Sequence, residues 1–238
     1  MTPLHWDLPT VWHLGLVLGA AAVLHASFQV AVSVLTGLSA RQLGFHTSHS
    51  RLIRLCFAYT AGVFAAVVAL VMALAYVLQS TSLPATILWA AISGYGAAIG
   101  IVVILFYYRE GKGTVLWLPR SIVSFLQDRI GKTSVAPESF SLGVMTVITE
   151  LPFVIAPSLV AAMLLSGHTS DFRVLALILY GLVAVLPLLI ITWLVGGGKK
   201  ISRIQKWREN NKGFLQFAAG AGLLVVSAYL FVTYCVGN

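Results

Sequence analysis

Six apolar runs, at approximately 11–38, 53–79, 84–108, 140–166, 173–197 and 213–236, leave this chain few ways to fold. Each is longer than the ~20 residues a helix needs to cross about 30 Å of hydrocarbon. In that medium every backbone N–H and C=O has to be satisfied within the protein, so runs of this length read as helices. Composition agrees: 59% of the 238 residues are apolar and only 9% are charged, against roughly 25% charged in a soluble domain. So little polar material rules out a disordered or nucleic-acid-binding chain. The first run has Asp7 and no Lys or Arg ahead of it, and reads as a retained helix, not a cleaved signal. The two cysteines, Cys56 and Cys235, lie far apart in apolar stretches and make neither a disulfide framework nor a metal-binding spacing.

The +8 net charge has its meaning in where it sits. Arg41, Arg51 and Arg54 lie in the first connection, and Arg109, Lys112, Arg120, Arg129 and Lys132 in the third. Lys199, Lys200, Arg203, Lys206, Arg208 and Lys212 lie in the fifth. The opposite side has Arg173 alone, so the 15 cations divide 14 to 1. The positive-inside rule then places the odd-numbered connections in the cytoplasm and both termini outside. Basic charge of this kind sets topology and touches anionic headgroups; it does not indicate a nucleic-acid partner.

The long third connection divides the runs three and three, giving a first half over 1–108, a connector over 109–139 and a second half over 140–238. Within the connector, Thr114 to Lys132 alternates Leu116, Trp117, Ile122, Val123, Phe125, Leu126 and Ile130 with polar residues at helical spacing. This predicts an amphipathic helix lying in the membrane interface, with Pro119 near its start. Three is odd, so the halves enter the membrane from opposite sides, the layout of an inverted repeat. The last run of each half carries glycines, Gly94, Gly96 and Gly100 in one and Gly220 and Gly222 in the other, which suit close helix packing in lipid.

Polarity inside the runs is concentrated in the first and fourth. His25-Ala-Ser-Phe-Gln29 with Ser33 and Thr36 marks one; Thr146, Thr149-Glu150-Leu-Pro152 and Pro157-Ser158 mark the other. With the proline-interrupted Glu150-Leu-Pro-Phe-Val-Ile-Ala-Pro157 and the basic lead into a glycine-containing last helix over Ile204 to Leu224, this layout resembles the lysine-exporter (LysE) superfamily. That group includes the transmembrane electron carriers of the cytochrome c biogenesis and DsbD type. The resemblance implies a small transporter or exporter in a bacterial plasma membrane, with its pathway between the first and fourth helices. The electron carriers place a cysteine beside proline in those helices, whereas this chain has His25 to Gln29 and Glu150 to Pro152 there, so the resemblance does not extend to a thiol relay.

Glu150 is the sharpest residue in the sequence. Ten residues into its run it lies near mid-bilayer, the only acidic residue well inside any span. A carboxylate there costs on the order of 2.5 to 3.5 kcal/mol on insertion scales, so a neutral, proton-holding form is expected, serving a proton or cation pathway or a cationic substrate. A protonated Glu bonded to a neighbouring helix is the plainer alternative. Pro152 and Pro157 are expected to kink or unwind the fourth helix at this level, while Pro187 reads as a kink in the fifth. His25, Gln29 and Ser33 form an i, i+4, i+8 stripe facing the bundle interior, with His25 able to exchange protons near neutral pH or to pair with Glu150. His46 and His49 read as part of a solvated basic face. Tyr59, Thr60, Ser93, Tyr95, Tyr180 and Thr192 are positioned to line the same cavity. Trp12, Trp89, Trp117, Tyr107, Tyr108, Trp193, Trp207 and Tyr234 lie mostly near span ends, as belt residues do.

These readings converge on an all-α membrane protein of six transmembrane helices, a 3+3 inverted repeat with N- and C-termini outside. It is expected to be a small secondary transporter, a proton-coupled exporter of a small polar solute or ion, and not an enzyme. Its pathway residues would be Glu150, His25, Gln29, Pro152, Pro157, Thr149 and Ser33, with no metal and no cofactor. Its partners would be membrane lipid and the small-molecule or ion substrate, a homo-oligomer being compatible with this and a nucleic acid not. The alternatives are a membrane scaffold or assembly factor that binds a protein through Lys199, Lys200 and Arg203, and a redox-type membrane component. The topology has a direct check: a cysteine placed at Thr81 should react with a membrane-impermeant maleimide in intact cells, and one at Lys206 only after permeabilisation.

Overall fold

The computed structural model describes residues 8–28, 30–44, 48–106, 119–167, 170–197 and 201–237. Among them there are helices and short connections and no strand. In chain order the helices are α1 (Leu8–Ser27), α2 (Val30–Gly44), α3 (His49–Ser80), α4 (Ala85–Phe106), α5 (Arg120–Lys132), α6 (Ala136–Ser166), α7 (Ser170–Ala184), α8 (Leu186–Gly196), α9 (Ile201–Asn210) and α10 (Lys212–Phe231). A closing π-helical turn, Val232–Val236, continues α10. Four elements, α3, α4, α6 and α10 with its π turn, are individually long and apolar enough to cross a bilayer. Two bent pairs, α1 with α2 and α7 with α8, bring the number to six if each pair is one span. Large apolar side chains such as Trp12, Leu16, Met72, Leu105, Trp193 and Phe214 point outward, a surface that lipid can solvate and water cannot. The chain is an integral membrane protein.

α6 is the central helix. Of its most apolar stretch 61% is buried, against 28–33% for α3, α4 and α10. Its closest neighbour is α3, and the two approach backbone to backbone. A Cβ added to Gly62 would collide with the carbonyl of Phe140, and one added to Gly143 with the carbonyl of Tyr59. Ser139 Oγ donates to the Leu55 carbonyl at 2.7 Å along the same seam. α4 and α10 form a second close pair, in which a Cβ on Gly100 would lie 2.9 Å from the Gly220 carbonyl and one on Gly220 2.7 Å from that of Gly100. Small residues permit this contact, and dispersion across it holds helices together where no hydrophobic effect acts. Gly96 and Gly222 also face neighbours, Ser227 and Leu24, whereas Gly94 opens onto empty space.

The amphipathic helix of the connector is present as α5, with Leu126 buried and Ile122, Val123 and Ile130 against the core. Residues 114–118 of the expected segment, Leu116 and Trp117 among them, lie outside the described residues, as do Tyr107, Tyr108, His46, Lys199 and Lys200. His49 is exposed and meets the Gly196 carbonyl at 2.8 Å, tying the start of α3 to the end of α8. Trp89 is no belt residue: it is buried, stacked on Tyr234 with ring centroids 4.2 Å apart.

The breaks fall elsewhere than the prolines of α6 suggest. α6 runs unbroken through Pro152 and Pro157. Each proline removes one ladder hydrogen bond, but a helix enclosed by its neighbours tolerates that loss. The first span bends by 45° between α1 and α2, and the fifth by 54° between α7 and α8. Pro187 explains the second, since it sits at the second position of α8, where its missing N–H costs nothing, and Val185 turns the chain ahead of it. The first has no proline or glycine to cause it. First and fifth spans are not equivalent in a three-plus-three repeat, so the two breaks do not follow that symmetry. Gly143→Ala is expected to destabilise the protein by about 1–3 kcal/mol because the atoms its methyl meets are backbone and cannot rotate away. Gly94→Ala should leave the Tm in detergent essentially unchanged.

Candidate functional site

The site is built where α1 ends and α2 begins. A helix start leaves backbone N–H groups without intrahelical partners, and in an apolar bundle no water is at hand to take them. Val30, the first residue of α2, donates its N–H to Oε1 of Glu150 on α6 at 3.0 Å. Glu150 is only 3% exposed. The carboxyl group therefore acts as an N-cap delivered from another helix, at the end of α2 where aligned peptide dipoles favour negative charge. Tyr59 on α3 supports the same turn: its hydroxyl lies 3.0 Å from the Ala31 carbonyl and 3.2 Å from Thr146 Oγ1. On the other side of the break, Ser27 Oγ donates to the Leu24 carbonyl at 2.6 Å, and the Phe28 N–H reaches that of His25 at 3.3 Å.

His25, near the end of α1, is buried and meets the hydroxyl of Tyr180 on α7 through Nδ1 at 2.9 Å, the rings edge to face. Ser158 on α6 is fully buried beside that tyrosine, and its Oγ completes no hydrogen bond among the described residues. His25 and Glu150 do not bond to each other. They line one small cavity of about 20 Å³, together with Ala26, Phe28, Ala31 and Val32 at the first break and Ala184, Pro187 and Leu188 at the second. A buried water needs roughly 10–15 Å³ measured this way and two or more polar partners. The cavity is thus of the size of a single water and lies where the two broken spans meet, α1 packing on α7 and α2 on α8.

The remaining expected residues divide. Thr149 spends its hydroxyl on its own helix, donating to the Thr146 carbonyl at 2.7 Å. Pro157 is buried in α6, while Pro152 is exposed, its carbonyl accepting from the Tyr95 hydroxyl at 2.8 Å. Gln29 lies outside the described residues. Ser33 does not face His25: its Oγ accepts from Arg208 of α9 at 2.9 Å. Thr60 and Thr192 meet each other at 3.4 Å, linking α3 to α8. Ser93 is buried in α4. Among the described residues no three His, Cys, Asp or Glu side chains gather as metal ligands would.

Two members of this arrangement had no local signal. The Val30 N–H is a backbone group, exposed as a donor only because the helix breaks. Arg208 resembles every other cation of the fifth connection until its burial is seen. Pro187 carried a signal, but for a kink and not for the wall of a cavity. No protein-family model matches the chain, and no curated protein or solved structure matches it.

Loss of the trans cap can be measured. Glu150→Leu leaves the buried Val30 N–H without an acceptor and should cost about 1–3 kcal/mol, whereas Glu150→Gln keeps an oxygen in place and should cost less than about 1 kcal/mol. Thermal melting in detergent separates the two.

Proposed function

We propose that the protein is a small secondary transporter, a proton-coupled exporter of a small polar solute or ion, working by alternating access around Glu150. The observation that carries this reading is the shared cavity: an ionisable carboxyl and a histidine line one void at the level where two adjacent spans are both interrupted. Polar and ionisable groups deep in a membrane protein are costly and mark pathways, and discontinuous helices are a recurring way to expose backbone groups to a solute at mid-membrane. The void as it stands holds about one water, so this is a closed conformation of the pathway. Both hinges meet at it, so a relative movement of α1 and α7 against α2 and α8 widens it. In this reading the odd-numbered connections are cytoplasmic, both termini are outside, and the halves have opposite orientation. The membrane is a bacterial plasma membrane, as the LysE-type resemblance implies.

Glu150 takes up and releases the coupling proton, its carboxyl group being held on the Val30 N–H between turnovers. His25, in the wall of the void, is held by its hydrogen bond to Tyr180 of α7. In proteoliposomes, Glu150→Gln should abolish proton-coupled flux, by about a hundredfold or to background, while the protein stays folded; general acid–base and proton-relay groups contribute effects of this size. Flux equal to wild type in the folded variant overturns the coupling role. An unchanged response to a proton gradient in Glu150→Gln together with loss of partner capture on neutralising Lys199, Lys200 and Arg203 would favour the scaffold reading.

A further inference from the structure

α9 is attached to the bundle in an unusual way. Of its side chains described, Arg203, Gln205, Lys206, Trp207, Glu209 and Asn210 are all exposed, and Arg208 alone is buried, at 3%. Arginine is the side chain least suited to anchoring a helix in an apolar interior, since its guanidinium stays charged and must be hydrogen-bonded. Its contact is with Ser33 of α2, 2.9 Å from Nη2 to Oγ. Ser33 is three residues beyond Val30, so along α2 the guanidinium is joined about 4.5 Å below the N–H that Glu150 holds. α2 is therefore fixed at its start by Glu150 from α6 and Tyr59 from α3, and one turn further on by Arg208 from α9.

We propose that α9 is a strap across the cytoplasmic side of the cavity and that Arg208 is its fastening, the guanidinium on Ser33 holding α2 in the closed position. α2 is the half of the first span beyond the bend between Ser27 and Val30, and it cannot leave α6 and α8 while α9 is pinned to it. Among the described side chains of α9, Arg208 is the one that reaches α2. Arg208 acts here as a positioning residue: it sets where α2, and with it the Val30 N–H, stands. That the closure gates a transported solute rests on the function proposed above; the closure itself does not.

The test uses the full chain in sealed vesicles, with Cys56→Ser and Cys235→Ser removing native thiols and Val32→Cys, in the cavity wall, as reporter. A small membrane-impermeant thiol reagent is applied to inverted vesicles, which present the α9 face, and to right-side-out vesicles. Arg208→Ala and, separately, Ser33→Ala should raise the labelling rate about tenfold or more from the α9 face, the change expected on losing one hydrogen bond to a charged group. They should not raise it from the other face. Arg208→Lys, which can still donate to Ser33, should restore most of the protection, and the double alanine variant should exceed neither single one. Wild-type labelling rates in both Arg208→Ala and Ser33→Ala overturn the strap, as does an equal rise from both faces, which means general loosening. If Arg208→Ala fails to fold, Ser33→Ala decides. Loss of flux in Glu150→Gln with the strap intact, or the reverse, tells failure of one proposal from failure of the other.

Discussion

A backbone N–H that opens a helix inside an apolar bundle must find an acceptor, and Glu150 is the acceptor for Val30. Much of the architecture follows from that one contact. It requires α6 to lie at the centre, where its side chain can reach the interrupted first span, and the glycine seam between α3 and α6 holds it there. It requires the carboxyl group to sit in the buried interior, where an unpaired acid would be costly. It also makes the break tolerable, because the orphan donor is satisfied from outside its own helix. Tyr59, bridging the next carbonyl of α2 to Thr146 of α6, secures the same turn from α3.

The second break reinforces the first by position. α7 and α8 turn at Val185 beside the same void, so two helix ends approach it from one side and two helix starts from the other. Carbonyl-rich ends and N–H-rich starts give a field across a space of one water molecule, with a carboxyl group and an imidazole in its wall. Such a site is polar without being open, which reconciles a functional arrangement with the tight packing seen around it.

Six apolar runs made the membrane class legible from sequence, because run length is a one-dimensional property that lipid thickness fixes; four helices are long enough to cross alone, and the first and fifth runs are each a bent pair. The amphipathic helix α5 was legible over its described part, Arg120–Lys132, for a similar reason, its period of apolar residues surviving in the structure as Ile122, Leu126 and Ile130 against the core. Glu150 and His25 stood out because polarity in such runs is rare. What sequence could not place was the discontinuity. Pro152 and Pro157 look like breakers, yet α6 stays one helix through both, most of its apolar stretch being packed among its neighbours. The first span has no proline at its break, and the N–H freed there is taken by a carboxyl group 120 positions away. Arg208 was hidden among six cations of one connection, since burial is a property of the fold and not of the residue type.

The two breaks also differ in kind, and the difference bears on how the molecule moves. The turn between α7 and α8 has a covalent component: Pro187 lacks the N–H that would continue the ladder across it. The turn between α1 and α2 is held by contacts alone, Glu150 on Val30, Tyr59 on Ala31 and, one turn on, Arg208 on Ser33. Contacts of that sort can be exchanged for others of similar strength, including bonds from α2 back to α1. A break marked by proline lies against one held by contacts, and both adjoin the void that Glu150 and His25 line.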